Sequence, residues 1–548
     1  MHARATSLES VEILPRTPRT SGGARSRDHD ALPTPYEGDD VELSLLGDAE
    51  RREAAADLTL EEEQEYLTQV DAKRSFSARD KRAMVLLTVL YFIQGFPLGL
   101  ALGSIPFIIR EKLSYSQLAV FSLAAYPYSL KLLWSPIVDS MFFPSIGRRK
   151  SWIIPVQLIV GTIMLAMSAR AEELVADPGK HLYTLTFAFT SLVFFSATQD
   201  VAVDGWALTL LSEENLAYAS TCQVIGLNSG NIMSYSLFLA LNSENFAHKW
   251  GIPRLTLGAY LFFCACMSYA VTFVLFFVKE DSRAGEDMGI KKVYLTMWEI
   301  CKLKHVQILL AVHLLAKVGW QADDAVAMLK MTEKGLGRED IAVAVLIDFP
   351  FELAAGWLAG RWARGDRPLR AWTYSFWPRL ALTLIAALVV YWFPRPPITS
   401  TFMVGLVTLI ILQSFTGTIQ FGGISAFHTR VSDPVVGGTY MTLLNTFVNL
   451  GDTWPRFFVL RGVDLFTIAT CSLPEAAPGL SVEARECVSE QGKAACREAS
   501  GQCVIEQDGF YIVSGFCLIF GVVSVLFFIM PTVRKLQAIP ASKWRIAS

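Results

Sequence analysis

Residues 111–134 read "EKLSYSQLAVFSLAAYPYSLKLLW", and residues 333–357 read "EKGLGREDIAVAVLIDFPFELAAGW". Overlaid, the two stretches share an opening Glu-Lys, Leu-Ala against Ile-Ala, Tyr-Pro-Tyr against Phe-Pro-Phe, and Trp134 against Trp357, at an offset of 222–223 residues. A looser pair, "LSEENLAYAS" (211–220) and "VSDPVVGGTY" (431–440), keeps an offset of 220. Self-similarity at a nearly constant spacing marks a duplicated architecture. The chain therefore reads as two comparable halves.

Working outward from the repeat, apolar runs of about 20 residues recur through both halves, the length that crosses roughly 30 Å of hydrocarbon. They lie near 83–109, 116–138, 152–169, 182–210, 217–241, 255–278, 306–328, 340–360, 372–393, 399–424, 437–460 and 509–530. Several contain Gly and Pro, as in "QGFPLG" (94–99), which spanning helices tolerate when neighbours satisfy the freed backbone groups. Composition agrees: 52% of residues are hydrophobic and only 18% charged, against about 25% charged in soluble domains. A soluble fold would need a dozen core helices with almost no polar face. The net charge of -3 is too small to suggest nucleic acid.

Lys and Arg set the orientation. They cluster before the first span (Lys73, Arg74, Arg79, Lys81, Arg82), after the second (Arg148, Arg149, Lys150), after the sixth (Lys279, Arg283, Lys291, Lys292, Lys302, Lys304) and in the tail (Arg534, Lys535, Lys543, Arg545). Both termini are thus expected in the cytosol. Residues 1–80 read as a disordered cytosolic tail ending in a short acidic helix over "LEEEQEYL". They lack the pattern of a cleavable signal peptide, and "ELSLLGD" (42–48) is a weak match to an acidic dileucine sorting signal. Cys471, Cys487, Cys496 and Cys503 all fall between spans eleven and twelve, on the side away from the cytosol. Without a CxxC or a histidine among them they read as two disulfides rather than a zinc cluster, with three connectivities open.

The expected fold is all-α and membrane-integral, with twelve transmembrane helices in two six-helix bundles, 83–278 and 306–531. A basic linker (279–305) joins the bundles, the cysteine loop covers 461–508, and a tail covers 532–548. Two parallel halves of this kind resemble the major facilitator architecture, which binds substrate between the halves near mid-membrane. In "SPIVDSMFFPSIGRRKSW" (135–152), Asp139 precedes Gly147-Arg148-Arg149-Lys150, similar to that superfamily's loop signature though more widely spaced. A carboxylate facing guanidinium groups can form a latch that closes in one state and opens in another. "GRWARGDRPLRAW" (360–372) is a degenerate second copy. The bland alternative for both is cytosolic positive charge alone.

"ATQDVAVDGWALTLLSEENLAYASTC" (197–222) resembles the acetyl-coenzyme A transporter family of the endoplasmic reticulum membrane. So do "IQGFPLGLALGSIP" (93–106), "SLKLLWSPIVD" (129–139), "GRRKSWIIPVQ" (147–157), "VSDPVVGGTYMTLLNTFVNLG" (431–451) and "GQCVIEQDGFY" (501–511). The resemblance covers residues 83 to 535 in order. It implies import of cytosolic acetyl-CoA into the endoplasmic reticulum lumen for lumenal acetylation, with free CoA as a conceivable counter-substrate, the bilayer as surroundings and no cofactor. The same blocks resemble, more weakly, bacterial muropeptide permeases.

Acetyl-CoA is a long anion, so its site needs cations for phosphates, an apolar or aromatic shelf and polar groups along the arm. Intramembrane charges are the candidates. Lys131 (span two), Lys317 (span seven), Arg379 (span nine) and Arg430 (span ten) could meet phosphates. Against this, Lys131 could snorkel to the nearby interface, and Lys317 could simply neutralise Asp323 or Asp324. Gln94, Tyr126, Tyr128, Tyr440, Asn445 and Asn449 could line the path or tie helices together. Gln199 and Asp200 could face the substrate, whereas Asp204 is expected in a gating network with Asp139, Arg148, Arg149 and Lys150. His313 and His428 read as isolated structural groups. With no nucleophile, metal-ligand cluster or Gly-rich phosphate loop, catalysis is not expected; a membrane acyltransferase, the rival class, would not call for the internal duplication.

Overall fold

A computed structural model describes residues 77–212, 215, 218–280, 289–362, 369–432, 437–472, 487–488 and 490–544. The dileucine match, the acidic helix before residue 77 and the middle of the second Gly-Arg copy lie outside them. Among the described residues, eight helices are each long and apolar enough to cross a membrane: Ala78–Arg110, Lys150–Ser168, Leu182–Leu210, Tyr218–Asn242, Leu257–Phe277, Leu369–Tyr391, Ser400–Val431 and Gly509–Gln537. These are spans one, three, four, five, six, nine, ten and twelve. Spans two (115–140), seven (304–333), eight (Arg338–Trp362) and eleven (Gly437–Phe466) are broken or carry charge.

The breaks have local causes. A capping box between Ser114 and Gln117 starts span two. Pro127 and Pro136 then remove backbone donors, and the chain advances through short helices with 3₁₀ turns at Leu123–Ala125 and Lys131–Leu133. Span seven stops being α-helical at Ala316, makes a 3₁₀ turn at Val318–Trp320 and widens into a π turn at Asp323–Ala327. Span one carries a π turn at a similar place, Gly99–Ser104. The duplication seen in the sequence therefore extends to a shared helix irregularity, a type that recurs at functional sites.

Small residues let the helices close up. Spans one and five cross so tightly that a Cβ on Gly95 would lie 2.6 Å from the Asn231 nitrogen, and one on Gly230 would lie 2.0 Å from the Phe92 oxygen. Spans seven and eleven meet the same way, with Gly451 under the His313 carbonyl. Within the first bundle, span five packs on one, six on three, and four on one and three. In the second, eight packs on ten, seven on eleven, and eleven on twelve. The bundles touch where span two meets eleven and where span five meets eight. Two six-helix bundles facing each other across those four helices make the major facilitator fold.

Two features differ from the expected outline. Spans ten and eleven run on to Val431 and Phe466, so Arg430 sits in a last helical turn. The cysteine loop is not wholly irregular: β1 (Ile468–Ser472) pairs antiparallel with β2 (Gln502–Gln507), with a helix Glu490–Glu498 between them. Cys471 faces Cys503 across the strands, but the bonds run Cys471–Cys496 and Cys487–Cys503. In the linker, the amphipathic helix Ile290–Lys302 buries Met297 and Ile300. Its Tyr294 hydroxyl donates to the Leu133 carbonyl at 2.6 Å, tying the linker to span two.

Candidate functional site

The π turn of span seven directs two acids into a cavity of about 430 Å³ between the bundles. The first bundle contributes mainly apolar and aromatic wall, including Phe107, Phe121 and Tyr235, with Asn231 as a polar group. The second contributes the charge: Asp323, Asp324, Arg379 and Arg456, with Gln413 beside them. Arg379 donates to Asp324 at 2.8 Å and to the Gln413 carbonyl. The Gln413 amide donates to Asp323. Arg456 makes no ion pair among the described residues. A guanidinium left unpaired beside an apolar shelf suits a phosphate-bearing ligand.

A smaller cavity of about 150 Å³ lies in the half of the second bundle nearer the basic loops. His313, Lys317, Trp320, Asp452, Arg379 and Asp324 line it. The Asp324–Arg379 pair thus borders both spaces. Lys317 lies 3.4 Å from Asp452, a carboxylate of span eleven rather than either of the acids six and seven residues along its own helix.

Lys131 forms an ion pair with Asp200 across spans two and four, with Asp200 fully buried and the Tyr128 ring 5.0 Å from the ammonium. The lysine does not snorkel. Gln199 donates to the Leu90 carbonyl at 3.4 Å, and Gln94 is buried with neither amide atom partnered among the described residues. Tyr126 is half-buried one turn before the Lys131 break. Tyr440 is fully buried and donates to the Trp544 carbonyl at 3.1 Å. Asn445 approaches His428, the Asn449 carbonyl accepts from Thr453, and Arg430 is exposed at its helix end. Of the expected ligand residues, Arg379 lines both cavities and Lys317 the smaller. The others are not among the lining residues of these spaces.

The loop cluster at the basic face is assembled around Asp139. Arg149 pairs with its carboxylate, and Arg148 donates twice to its carbonyl, at 2.9 and 2.7 Å. Glu280, at the end of span six, accepts the backbone N–H groups of Arg149 and Lys150 at 2.8 and 3.0 Å, and the Lys150 ammonium donates to the Val278 carbonyl. Asp204 takes its hydrogen bonds from Tyr91 at 2.7 Å and Gln223 at 3.0 Å rather than from the arginines. The Arg149 guanidinium lies flat against Gly205, the next residue, so close that a Cβ there would sit 2.2 Å from Cζ.

At the opposite face, beside the disulfide loop, the bundles are clasped together. Arg110 pairs with Glu333 and Arg338 with Glu111, each bond joining one bundle to the other. The Tyr115 hydroxyl donates to Glu333 at 2.8 Å, and Ser243 donates to Glu339 at 2.7 Å. Lys330 ties Glu333 to Asp508, the residue that follows β2, at 3.2 and 2.9 Å. Sequence reasoning missed this clasp, Arg456 and Glu280. The signal for the clasp was in the repeat, whose aligned Glu-Lys pairs contain Glu111 and Glu333. Arg456 was legible by the same test as Lys317, a cation inside an apolar run, but stood too near the expected end of span eleven.

A family model described as "Acetyl-coenzyme A transporter 1" matches residues 83–289, 280–371 and 365–546. The chain belongs to that family. Members and relatives include an uncharacterized protein of Schizosaccharomyces pombe, 38% identical over 86% of this chain and 90% of that one. An uncharacterized membrane protein of Saccharomyces cerevisiae is 37% identical over 86% of this chain and 98% of that one. The anhydromuropeptide permease of Escherichia coli is 30% identical over a shorter stretch, 30% of this chain and 32% of that one. Among solved structures, a bacterial homolog of the human lysosomal transporter Spinster, inward-facing and unoccupied, superposes with a TM-score of 0.56 at 14% identity, covering 86% of this chain and all of the other. The nucleoside transporter NupG gives 0.53 at 11% identity over 82% and 98%. Family and fold are those of multi-pass membrane transporters and not of enzymes.

Proposed function

We propose that the protein carries acetyl-CoA from the cytosol into the lumen of the endoplasmic reticulum by alternating access, with both termini cytosolic and the disulfide loop lumenal. The observation that carries this reading is the inter-bundle cavity, where Arg456 makes no ion pair among the described residues and Arg379 pairs with Asp324, both facing the mainly apolar and aromatic wall of the first bundle. Phosphates would meet Arg456, Arg379 and, across the Asp324–Arg379 partition, Lys317, while the acyl arm and adenine would lie along Phe107, Phe121 and Tyr235. Lys131, paired with Asp200, acts as support for span two rather than as a phosphate ligand. An oxidising lumen fits the two disulfides. With the clasp closed, the central cavity is sealed towards the lumen, the state in which cytosolic substrate loads. The Asp139–Arg149 cluster would act at the other gate.

Alternating access then needs only that substrate binding favour the rocking of one bundle against the other. No bond in acetyl-CoA is made or broken. The test is uptake of labelled acetyl-CoA by proteoliposomes holding the purified protein, empty or loaded with free CoA. Saturable uptake, faster with CoA inside, supports the reading and the exchange mode. Uptake of an anhydromuropeptide but not of acetyl-CoA would replace the substrate with the one borne by the bacterial relative's name.

A further inference from the structure

Two buried titratable side chains are left unused by that scheme. His313 and His428, three and zero per cent exposed, are not the isolated groups their sequence positions suggest. Their Nε2 atoms are 3.0 Å apart, across spans seven and ten, and His428 Nδ1 lies 3.2 Å from Asn445 Oδ1 on span eleven. Two imidazole nitrogens at hydrogen-bond distance hold one proton between them, one ring donating and the other accepting. With Asn445 Oδ1 accepting from His428 Nδ1–H, His428 Nε2 is the acceptor and His313 Nε2–H the donor. Both rings are then neutral, and the nitrogen left bare is His313 Nδ1. His313 lines the small cavity. A proton arriving from cavity water can form an N–H bond at that atom and convert His313 to imidazolium without disturbing the bond to His428.

The charges around the pair determine when this occurs. From span seven come Lys317 and Asp324, from span nine Arg379, and from span eleven Asp452. Span ten adds only the exposed Arg430 beyond His428. Lys317 is matched by Asp452 and Asp324 by Arg379, so the surroundings are balanced and offer an imidazolium no spare carboxylate. A buried uncompensated charge is costly. An anion entering beside Lys317 and Arg379 would supply the missing negative charge one turn away. Anion binding and protonation would then favour each other reciprocally.

We propose that the His313–His428 pair is a proton-binding site filled together with the transported anion, which makes net transport proton-coupled. The proposal rests on the acetyl-CoA reading. In proteoliposomes, net acetyl-CoA uptake by the wild type should rise several-fold when the outside is brought from about pH 7.5 to about pH 6, the range in which imidazole titrates, and a protonophore should abolish the rise. The double variant His313→Gln, His428→Gln keeps hydrogen-bonding groups but cannot carry the proton. It should retain exchange of labelled for unlabelled acetyl-CoA and lose the response to the gradient. As a second readout, weakly buffered wild-type protein in detergent should take up about one proton per acetyl-CoA bound, and His313→Gln should bind without taking one up. Wild-type uptake indifferent to the gradient, or a double variant that responds like wild type, overturns the proposal. Absence of acetyl-CoA uptake and exchange in the wild type is a different pattern, and it overturns the substrate reading along with this one.

Discussion

Glu111 and Glu333 occupy equivalent places in the two halves, and each is held by an arginine from the other half, Arg338 and Arg110 respectively. The repeat thus supplies the two glutamates, while the arginines that hold them stand at non-equivalent positions, one directly before Glu111 and one five residues after Glu333. Arg110, Tyr115 and Lys330 surround Glu333 closely, whereas Glu111 is largely exposed, so the two arms should differ in strength. Beneath the disulfide hairpin the same residues border a space of about 300 Å³ that also touches Cys487 and Lys493. Opening the clasp therefore involves the loop as well as the helices.

Neutralising the exposed arm with Glu111→Gln should cost the closed state about 1 kcal/mol or less, as surface pairs do, shifting the two-state balance up to about fivefold. Neutralising Glu333 should do more, because it takes the carboxylate from Arg110 and one of two from Lys330, which keeps Asp508. The measurement is the distance between spin labels placed on spans one and seven at that face. Longer distances should gain population in the order Glu333→Gln, then Glu111→Gln, then wild type. The swap Glu111→Arg with Arg338→Glu should restore the wild-type distribution. Distributions unchanged in Glu333→Gln would remove the clasp from the gate.

The Lys131–Asp200 pair makes a contrasting prediction. Removing one member of a buried pair strands the other charge and costs about 3–5 kcal/mol. Lys131→Ala should therefore lower the melting temperature and yield of the purified protein, and adding Asp200→Asn should recover most of both. A lysine that served substrate alone would leave melting untouched and give no such rescue.

The sequence made the twelve spans, the duplication and the basic-loop cluster legible because each rests on a one-dimensional signal: run length, offset, or charge spacing. Partner identity was not legible. Closeness in the chain points from Lys317 to Asp323 and Asp324, yet the 3₁₀ turn that follows it, at Val318–Trp320, breaks the helical register, and its ion pair is with Asp452 of another span. The same holds for His313 and His428, 115 residues apart and in contact. Asp204 is expected in a network with the Gly-Arg-Arg-Lys cluster, and the structure lays the Arg149 guanidinium against the neighbouring Gly205 while the hydrogen bonds to Asp204 come from Tyr91 and Gln223. Tertiary crossings, not composition, decide these pairs.

Arg456 offers the cleanest test of the substrate site, since it supports no ion pair among the described residues. Arg456→Gln should leave melting and expression near wild type while raising the KM for acetyl-CoA about tenfold, the loss of one charge-assisted phosphate contact at about 1.4 kcal/mol. Dephospho-CoA thioesters, which lack one phosphate, would show whether that contact is to the 3′-phosphate. If they distinguish wild type from variant less than acetyl-CoA does, the lost partner is the 3′-phosphate. Unchanged KM in Arg456→Gln would take the residue out of the site.

Gly205 provides the last prediction, and it turns on space rather than charge. The Arg149 guanidinium needs the bare backbone at Gly205 to reach Asp139, and any Cβ would occupy its place. Gly205→Ala should push Arg149 off Asp139 without changing a single charge, while Ala is otherwise favoured over Gly in a helix by about 1 kcal/mol. The variant should consequently be no less folded by circular dichroism, yet transport slower if the Asp139–Arg149 bond stabilises one of the two gate states. Asp139→Asn should slow transport to a similar extent, and combining it with Gly205→Ala should add little, because both remove the same bond. Additive losses in the double variant would show that Gly205 acts through something other than Arg149.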